Sequence, residues 1–380
     1  MKYGRSAEEL VKEVLRQSEK RHDLHAPTTA LTIVPESTHG ERGVFLSVKG
    51  EETYVINPLA HDQIGQFCGI DAKFYDRLLK DFPELLATNI NTLIVNPKPK
   101  VDAKGNPVAV SKTRLLRTLD GKLRAFLSGG FRPLENIDLL ATIIPIIKER
   151  GLDLHSCEIT DRKLYMKVVS PELSRELARH GAALGDGGHT IVSVAYAAGT
   201  ISNSELGCGS LSVQTGCYDK GCSNLATFGE NSVRKYHSGN RIELADDAEA
   251  QVYITNETRA ARDRATFLEV RDTVKAAFDP ISFGKMMEKI EKTKEDAITG
   301  DAQKVVTVTT KRLGLNESEG KAILLDLLRG GEMSRFGLAN AITRASQDCE
   351  SYEAATKLER AGGALIELPR TEWHQLAKAA

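Results

Sequence analysis

The spacing of apolar residues divides the chain into a mixed first part and a mostly helical second part. Near the start, apolar residues recur at helical spacing between Leu10 and Leu15, behind Ser6 and Glu9, which match a capping box. This pattern predicts an amphipathic helix over 6–21. The runs TTALTIVP and GVFLSVKG, separated by STHGER, then predict a β-hairpin.

A helical block follows this hairpin. In HDQIGQFCGIDAKFYDRLLKDFPELLATNINTLI the apolar residues repeat at three and four, with Gly69 between two sets, which is typical of a helix-turn-helix pair. The second helix, FYDRLLKDF, carries balanced charges, so we interpret the pair as structural and not as a DNA reader. A helix is expected within 134–148, limited by Pro145. LYMKVVS predicts a strand and PELSRELARHG a helix.

Strand-like runs occupy 190–254, where TIVSVAYA, GSLSVQ and AQVYIT are separated by glycine-rich loops such as GDGGHT, read as a turn. From about residue 257 nearly every segment has a helical pattern, and VVTVTT is the one clear strand candidate there. We therefore predict an α+β fold in two parts. Residues 1–256 form an α+β body with an antiparallel sheet and a basic hairpin at 113–128, packed by helices, and residues 257–380 form a mostly helical region.

Composition adds limits to this picture. The 380 residues are 41% hydrophobic and 27% charged with a formal net charge of −1, so any affinity for a polyanion must be local. No apolar run approaches the roughly 18 residues of a membrane span, and the N-terminus lacks the apolar core of a signal peptide. We expect a cytoplasmic protein without membrane contact, whose six cysteines are thiols or metal ligands.

The strongest local charge lies around the segment KTRLLRTLDGKLRAFLSGGFRPLEN. Between Lys98 and Arg132 there are nine lysines or arginines and two acids, a net charge of +7. Asp120 and Gly121 form a two-residue turn signal, which predicts that Arg117 lies directly opposite Arg124 on an exposed face. Like charges at such a pair are unfavourable by about 0.2–1 kcal/mol, so an outside phosphate is the functional explanation.

This hairpin predicts a binding surface for single-stranded nucleic acid. The cations expected to hold phosphates are Arg114, Arg117, Lys122, Arg124 and Arg132, and the rings expected to stack on bases are Phe126 and Phe131. A second basic cluster with the same expected role contains Arg234, Lys235 and Arg241. The alternatives are a solvated face, internal pairing of the arginines with Asp or Glu, an anionic small molecule, or an acidic protein.

A metal site is a weaker reading of the cysteine-rich segment. Cys208, Cys217, Cys222 and His237 offer ligands for one tetrahedral zinc, although no second close pair of ligands is present. Ordinary buried thiols are the alternative, and no cofactor is expected. HExxH, GxSxG and kinase motifs do not occur, so a hydrolase or transferase lacks its usual residues.

Several ordered motifs resemble the phage/plasmid-like protein family, a domain-of-unknown-function family. They are LRAFLSGGFRPLENIDLL, ISNSELGCGSLSV with GCSNL, RKYHSGNRIE, SRFGLANAITRASQD, KLERAGGALIEL and TEWHQL. The resemblance covers most of the chain and implies a mobile element in a bacterial host cell, but no chemistry. The segment departs from the family where Gly129, Gly130 and Phe131 follow Ser128. A more distant likeness at fold level is to Rad52-like single-strand annealing proteins.

Together these features predict a homo-oligomeric protein that binds and anneals single-stranded DNA in phage or plasmid recombination or replication. Annealing would follow if the cations neutralise backbone repulsion and leave the pairing edges of the bases open. The alternatives are a metal-dependent enzyme acting on nucleic acid or nucleotides, and a protein-interaction module that counters a host defence.

Overall fold

The chain has an α+β fold built from two mostly antiparallel sheets and helices. The computed structural model describes residues 1–36, 43–95, 100–101, 107–108, 112–181, 189–229, 233–235 and 256–379. The described helices are α1 Ala7–Lys20, α2 Pro58–Cys68, α3 Ala72–Asp81, α4 Pro83–Ile94, α5 Asn136–Glu149, α6 Asn256–Ala277, α7 Pro280–Lys294, α8 Ala302–Arg312, α9 Glu317–Gly330, α10 Arg335–Ala345, α11 Tyr352–Glu367 and α12 Arg370–Leu376.

The described strands belong to two six-stranded sheets and one short two-stranded sheet. They are β1 Arg21–Pro27, β2 Leu31–Glu36, β3 Gly43–Val48, β4 Thr53–Ile56, β5 Lys100–Val101, β6 Pro107–Val108, β7 Thr113–Leu119, β8 Lys122–Ser128, β9 Asp153–Ile159, β10 Leu164–Gly181, β11 His189–Asn203, β12 Leu211–Asp219, β13 Asn224–Thr227 and β14 Val233–Lys235.

The first sheet contains the predicted hairpins, in the strand order β1-β7-β8-β4-β3-β2. Its pairs are antiparallel except for β4 with β8, which run parallel. Helices α2 to α4 cover one face and share a core with it that includes Leu116, Leu123 and Phe126. The predicted helix-turn-helix is confirmed as α2 and α3, and Gly69 ends α2 with a φ of 71°, in the left-handed region that favours glycine.

The basic hairpin forms with its predicted turn but with a different register. Asp120 and Gly121 have φ values of 51° and 73°, as a type I′ turn requires. Leu119 pairs with Lys122, but a bulge then shifts the ladder, and Arg117 pairs with Ala125 instead of Arg124. The predicted arginine pair is therefore wrong. Because a one-residue shift exchanges the two faces of a strand, Phe126 faces the helices.

The second sheet has the order β13-β12-β11-β10-β9, with β14 paired to β12. Residues from α1, α5 and the helices after residue 256 share one large core with this sheet, from Leu10 to Ala377. The predicted change at residue 256 coincides with the start of α6. The helices beyond it do not have a core of their own, since they bury their apolar faces against the sheet of the first part.

Two local predictions are wrong. PELSRELARHG is not a helix, because these residues continue β10, which pairs with β11 beyond a bulge between Val169 and Ser174. VVTVTT is not a strand, because it lies in α8, which Asp301 caps by accepting from the backbone N–H of Lys304. In both segments packing outweighs propensities of a few tenths of a kcal/mol per residue.

Several predicted connections lie outside the described residues. They are STHGER, most of PKPKVDAKGNP, the first four residues of GDGGHT, and the AQVYIT strand. In the ranges that are described, no helix is both long enough and apolar enough to cross a membrane.

Candidate functional site

Arg117, the central cation of the predicted nucleic-acid surface, is buried inside the protein. Only 3% of the residue is exposed. Its guanidinium donates from Nε to Asp23 at 3.1 Å, from a terminal nitrogen to both oxygens of Glu135 at 3.0 and 3.1 Å, and to the backbone carbonyl of Glu205 at 3.0 Å. The predicted exposed role is wrong, because these carboxylates occupy the place expected for an outside phosphate.

The carboxyl groups around Arg117 form a network, which we call the carboxyl network: Glu205 is buried, Glu135 is half-buried and Asp23 is exposed. Arg117 and Arg21 hold the pKa of Glu135 below its usual value, although burial opposes them. Burial and the neighbouring Glu135 raise the pKa of Glu205 to about 7. Because the backbone N–H of Asn136 donates to Glu205 Oε1 at 2.5 Å, the network also fixes the start of α5.

Phe126 and Arg114 pack against each other and against Phe67 of α2, so they contact other parts of the protein. Phe126 is 1% exposed and contacts Phe67 edge-on, so its predicted role in base stacking is wrong. The guanidinium carbon of Arg114 lies 4.5 Å from the ring centres of both Phe67 and Phe126. This cation–π contact stabilises the hairpin against α2. Burial lowers the pKa of Arg114 to about 10.

The other predicted residues of the hairpin region differ in exposure. Arg132 donates to both carboxylate oxygens of Asp263, at 2.9 and 3.1 Å from Nε, so it connects the hairpin exit to α6. Phe131 is half-buried against the apolar cluster beneath the hairpin. Arg124, the bulged residue, is half-buried beside Glu205 and Asn136, and burial lowers its pKa. Lys122 is exposed at the turn.

The second basic cluster and the zinc set are not assembled into a site by the described residues. Arg234 and Lys235 lie in β14, whereas Arg241 and His237 lie outside the described residues. Cys217 is buried with its sulfur 4.0 Å from that of Met287, and none of the six cysteines forms a disulfide. Within the described ranges, no three His, Cys, Asp or Glu residues form a group that could hold a metal ion.

A cleft between the β9–β10 turn and α11 brings together cations that are distant in the sequence. It has a volume of about 500 Å³ and is lined by Arg162 and Lys163 from the β9–β10 turn and by Lys357 and Arg360 from α11. We call this the basic cleft. Its volume lies within the range of about 300–1,000 Å³ that small-molecule sites occupy. The remaining lining residues are Tyr165, Cys208, Leu313, Glu353, Thr356, Ala361 and Ala364.

The β9–β10 turn that carries Arg162 and Lys163 is held by hydrogen bonds from both sides. Thr160 Oγ1 accepts from the backbone N–H groups of Arg162 and Lys163 at 3.2 and 3.1 Å. Ser204 Oγ donates to the carbonyl of Arg162 at 2.7 Å and accepts from the N–H of Cys208 at 3.0 Å. Through Ser204, the β9–β10 turn is therefore held to the segment that carries Cys208, and this part of the cleft lining is fixed within the protein itself.

The α11 side of the basic cleft follows from helical spacing. Glu353, Lys357 and Arg360 stand at positions i, i+4 and i+7, which place them on one face of the helix. Lys357 is half-exposed and lies 3.5 Å from the half-buried Glu319, and Arg162 lies 2.9 Å from Asp62 in a pair whose side chains are both about half exposed. Exposed pairs of this kind contribute about 0–1 kcal/mol, so an arriving phosphate can displace them at little cost.

Tyr165 and Thr356 are the buried polar residues of the cleft lining. Tyr165 is 3% exposed, and its ring packs against that of Tyr352 with the ring centres 5.3 Å apart. Burial raises the pKa of Tyr165, with a contribution from Glu353, so the phenol stays neutral and can donate. A neutral phenol in the lining of a cleft can donate a hydrogen bond to a ligand oxygen.

Sequence reasoning missed the basic cleft because its two halves are separated by almost 200 positions. The signals were present but local: DRK at 161–163 occupies a turn between two strands, and EAATKLER at 353–360 carries charges at helical spacing. Neither segment is unusual alone. Only the packing of α11 beside the start of β10 brings Arg360 and Tyr165 together.

Comparison of the chain with protein-family models, with curated proteins and with solved structures finds no match. The resemblance to the phage/plasmid-like family and the likeness to Rad52-like proteins therefore stay predictions of the sequence.

Proposed function

We propose that this protein binds single-stranded nucleic acid, with DNA favoured, by holding a nucleotide of the strand in the basic cleft. The observation that carries the proposal is that Arg162, Lys163, Lys357 and Arg360 line one cleft together with the phenol of Tyr165. Four cations and one neutral donor suit the oxygens of a phosphodiester. Preference for DNA comes from the resemblance to proteins of mobile elements.

The size of the cleft limits how much of a strand it holds. A volume of about 500 Å³ accommodates one nucleotide with an adjacent phosphate and not a long tract. The dependence of affinity on salt should therefore be moderate. With about 0.7 counterions released per phosphate contact of a single strand, four cations give a slope of log K against log salt no steeper than about −3.

The test is the binding of a fluorescently labelled ten-residue oligodeoxynucleotide, followed by anisotropy across a range of salt concentrations. We expect Lys357→Glu to weaken binding about tenfold or more, because one phosphate contact is replaced by a repulsive charge. Lys122→Glu is the matched control: it makes the same change of charge at an exposed position of the hairpin turn, away from the cleft.

The two variants separate the cleft from the hairpin as binding surfaces. Weaker binding in Lys122→Glu with unchanged binding in Lys357→Glu would return the interface to the hairpin and contradict the proposal. Equal affinity in both variants and the wild type would also contradict it. Thermal melting of each variant confirms that the fold is retained. Annealing of complementary strands and homo-oligomer formation stay predictions, on which the described residues do not bear.

A further inference from the structure

The basic cleft has a buried floor and an exposed mouth. Tyr165 and Thr356 are 3% and 2% exposed, so these two residues lie at the floor. The side chains of Arg162 and Lys357 are about half exposed and lie at the mouth, one on the β9–β10 turn and the other on α11. A phosphate therefore enters between these two cations and moves inwards towards the phenol of Tyr165.

Segments from four parts of the fold line the basic cleft. They are the β9–β10 turn with the start of β10, the loop after β11 that carries Cys208, the end of α8 at Leu313, and α11. Because these segments surround one volume, the cleft is closed on several sides. A strand that runs through a site needs two openings, whereas the end of a strand needs only one.

Two carboxylates flank the mouth of the cleft. Asp62 of α2 lies 2.9 Å from Arg162, and Glu319 of α9 lies 3.5 Å from Lys357. Since Arg162 and Lys357 come from the two opposite walls, the acids lie on two sides of the mouth. A backbone that crosses the mouth brings one phosphate close to the first acid and another close to the second, and like charges repel. A strand that ends in the cleft avoids one of these repulsions.

The charge of the lining also favours a terminal phosphate over an internal one. The lining contains four cations and the carboxylate of Glu353. An internal phosphodiester carries a single negative charge, whereas a terminal phosphomonoester carries about −1.5 to −2 at pH 7 and presents three acceptor oxygens. The phenol of Tyr165 is a further donor for one of these oxygens.

We infer that the basic cleft binds the end of a single strand, and that its preferred ligand is the terminal phosphomonoester. This inference rests on the proposed function, because it specifies which phosphate of the strand the cations hold. A 5′-phosphate, a 3′-phosphate and a free nucleoside monophosphate share this chemistry, so the experiment has an arm for each of them.

The test uses one ten-residue sequence, labelled on an internal base, with a 5′-phosphate, with a 3′-phosphate, or with hydroxyls at both ends. In anisotropy titrations we expect one phosphorylated form to bind about 5- to 20-fold more tightly than the hydroxyl form, because the added charge lies a few ångströms from the cations. A free nucleoside monophosphate should displace that form. A covalently closed circle of the same base composition has no end, and per nucleotide it should bind no more tightly than the hydroxyl form.

The acids at the mouth provide a test by mutation. Asp62→Asn combined with Glu319→Gln should raise the affinity for the closed circle more than that for the phosphorylated strand, because a crossing backbone meets both acids. Glutamine keeps the capping box that Glu319 forms at the start of α9. Asp120→Asn is the matched control, since Asp120 is half-exposed in a similar pair, 2.7 Å from Arg16, at the hairpin turn. It should leave the difference between circle and strand unchanged.

The outcomes separate this inference from the function on which it rests. Equal affinities for the phosphorylated, hydroxyl and circular forms, with binding still weakened in Lys357→Glu, contradict end recognition and leave the cleft as the binding site. A preference for a phosphorylated end that is unchanged in Lys357→Glu places its recognition outside the cleft and also contradicts the inference. If no form responds to Lys357→Glu, the proposed function itself is wrong.

Discussion

The hairpin formed by β7 and β8 and the basic cleft each contain four cations, but their charges face different surroundings. In the hairpin, Arg117 is enclosed by carboxylates and Arg114 by aromatic rings. In the cleft, Lys357 and Arg162 form exposed pairs with acids that lie outside the cleft lining. A buried cation whose hydrogen bonds are satisfied within the chain contributes to folding, and a cation at the edge of a cleft remains available to a ligand.

The comparison teaches that local charge density in a sequence does not identify a binding surface. The segment around the hairpin has the highest density of positive charge in the chain, and three of its arginines, Arg114, Arg117 and Arg132, connect parts of the protein. The carboxyl network and the Arg132–Asp263 pair both cross between the hairpin region and later elements. The cleft draws its cations from segments of ordinary composition.

Removal of Arg117 should produce the largest effect on stability. We expect Arg117→Ala to lower the free energy of unfolding by about 3–5 kcal/mol, because Asp23 and Glu135 lose the buried guanidinium that they share. Urea denaturation measures this loss. Lys122→Ala, an exposed cation of the same hairpin, should change stability by less than about 0.5 kcal/mol. Similar stabilities for the two variants would show that the arginine is not a structural centre.

The carboxyl network should also make stability depend on pH. Because the pKa of Glu205 is raised to about 7 from a usual value of 4.5, the folded protein keeps a proton that the unfolded chain has lost. The contribution of Glu205 is therefore full below about pH 4.5 and is lost as the pH rises through 7. At 1.4 kcal/mol per pKa unit, the decline attributable to Glu205 is on the order of 3 kcal/mol between pH 4.5 and 8.

Glu205→Gln isolates this contribution. The amide resembles the protonated acid, since its oxygen can accept from the N–H of Asn136 and its nitrogen can donate to Glu135. We expect the variant to match the wild type near pH 5 and to exceed it at pH 8, in denaturation series recorded at both values. Parallel pH profiles for the two proteins would contradict a proton held by this carboxyl pair.

A smaller effect is expected where the hairpin region meets α6. Arg132→Ala removes a bidentate pair with Asp263, in which both side chains are about 70% buried. We expect a loss of about 1 kcal/mol in the free energy of unfolding. A double-mutant cycle with Asp263→Ala measures the coupling directly. Additive single effects would mean that the pair does not stabilise the contact.

The smallest change in stability is expected in the basic cleft. Lys357→Ala should alter the free energy of unfolding by less than about 0.5 kcal/mol, because the lysine is half-exposed and its distance to Glu319 is a long 3.5 Å. The same variant should reduce the salt slope of oligonucleotide binding by about 0.7, the value for one phosphate contact. A large loss of stability would place Lys357 with the structural cations of the hairpin and remove the contrast between the two regions.

Much of the secondary structure could be predicted because its signals are local. The capping box of Ser6 and Glu9 is present at the start of α1, and the Asp120–Gly121 turn joins β7 to β8 as expected. The α+β class is confirmed for the same reason. The errors occur where distant partners decide the conformation: PELSRELARHG extends β10 because β11 lies beside it, and VVTVTT is helical because α8 buries one side of its valines and threonines.

The candidate site could not be predicted in the same way. A one-residue bulge beside Arg117 turns Phe126 towards the helices. No residue type in the segment predicts that bulge. The acids that surround Arg117 come from β1, from the start of α5 and from the loop after β11. Their proximity therefore depends on how three distant segments of the chain pack together. The basic cleft likewise forms only because α11 packs beside the β9–β10 turn.

By itself the sequence determined the capped helices, the tight turns and the apolar spacing of the sheets, because these depend on interactions between residues a few positions apart. The tertiary structure alone decided which cations are enclosed and which line a cleft. That decision depends on the carboxylates that packing brings within about 3 Å of each guanidinium, since Coulomb and hydrogen-bond energies fall away over a few ångströms in space and are indifferent to separation along the chain.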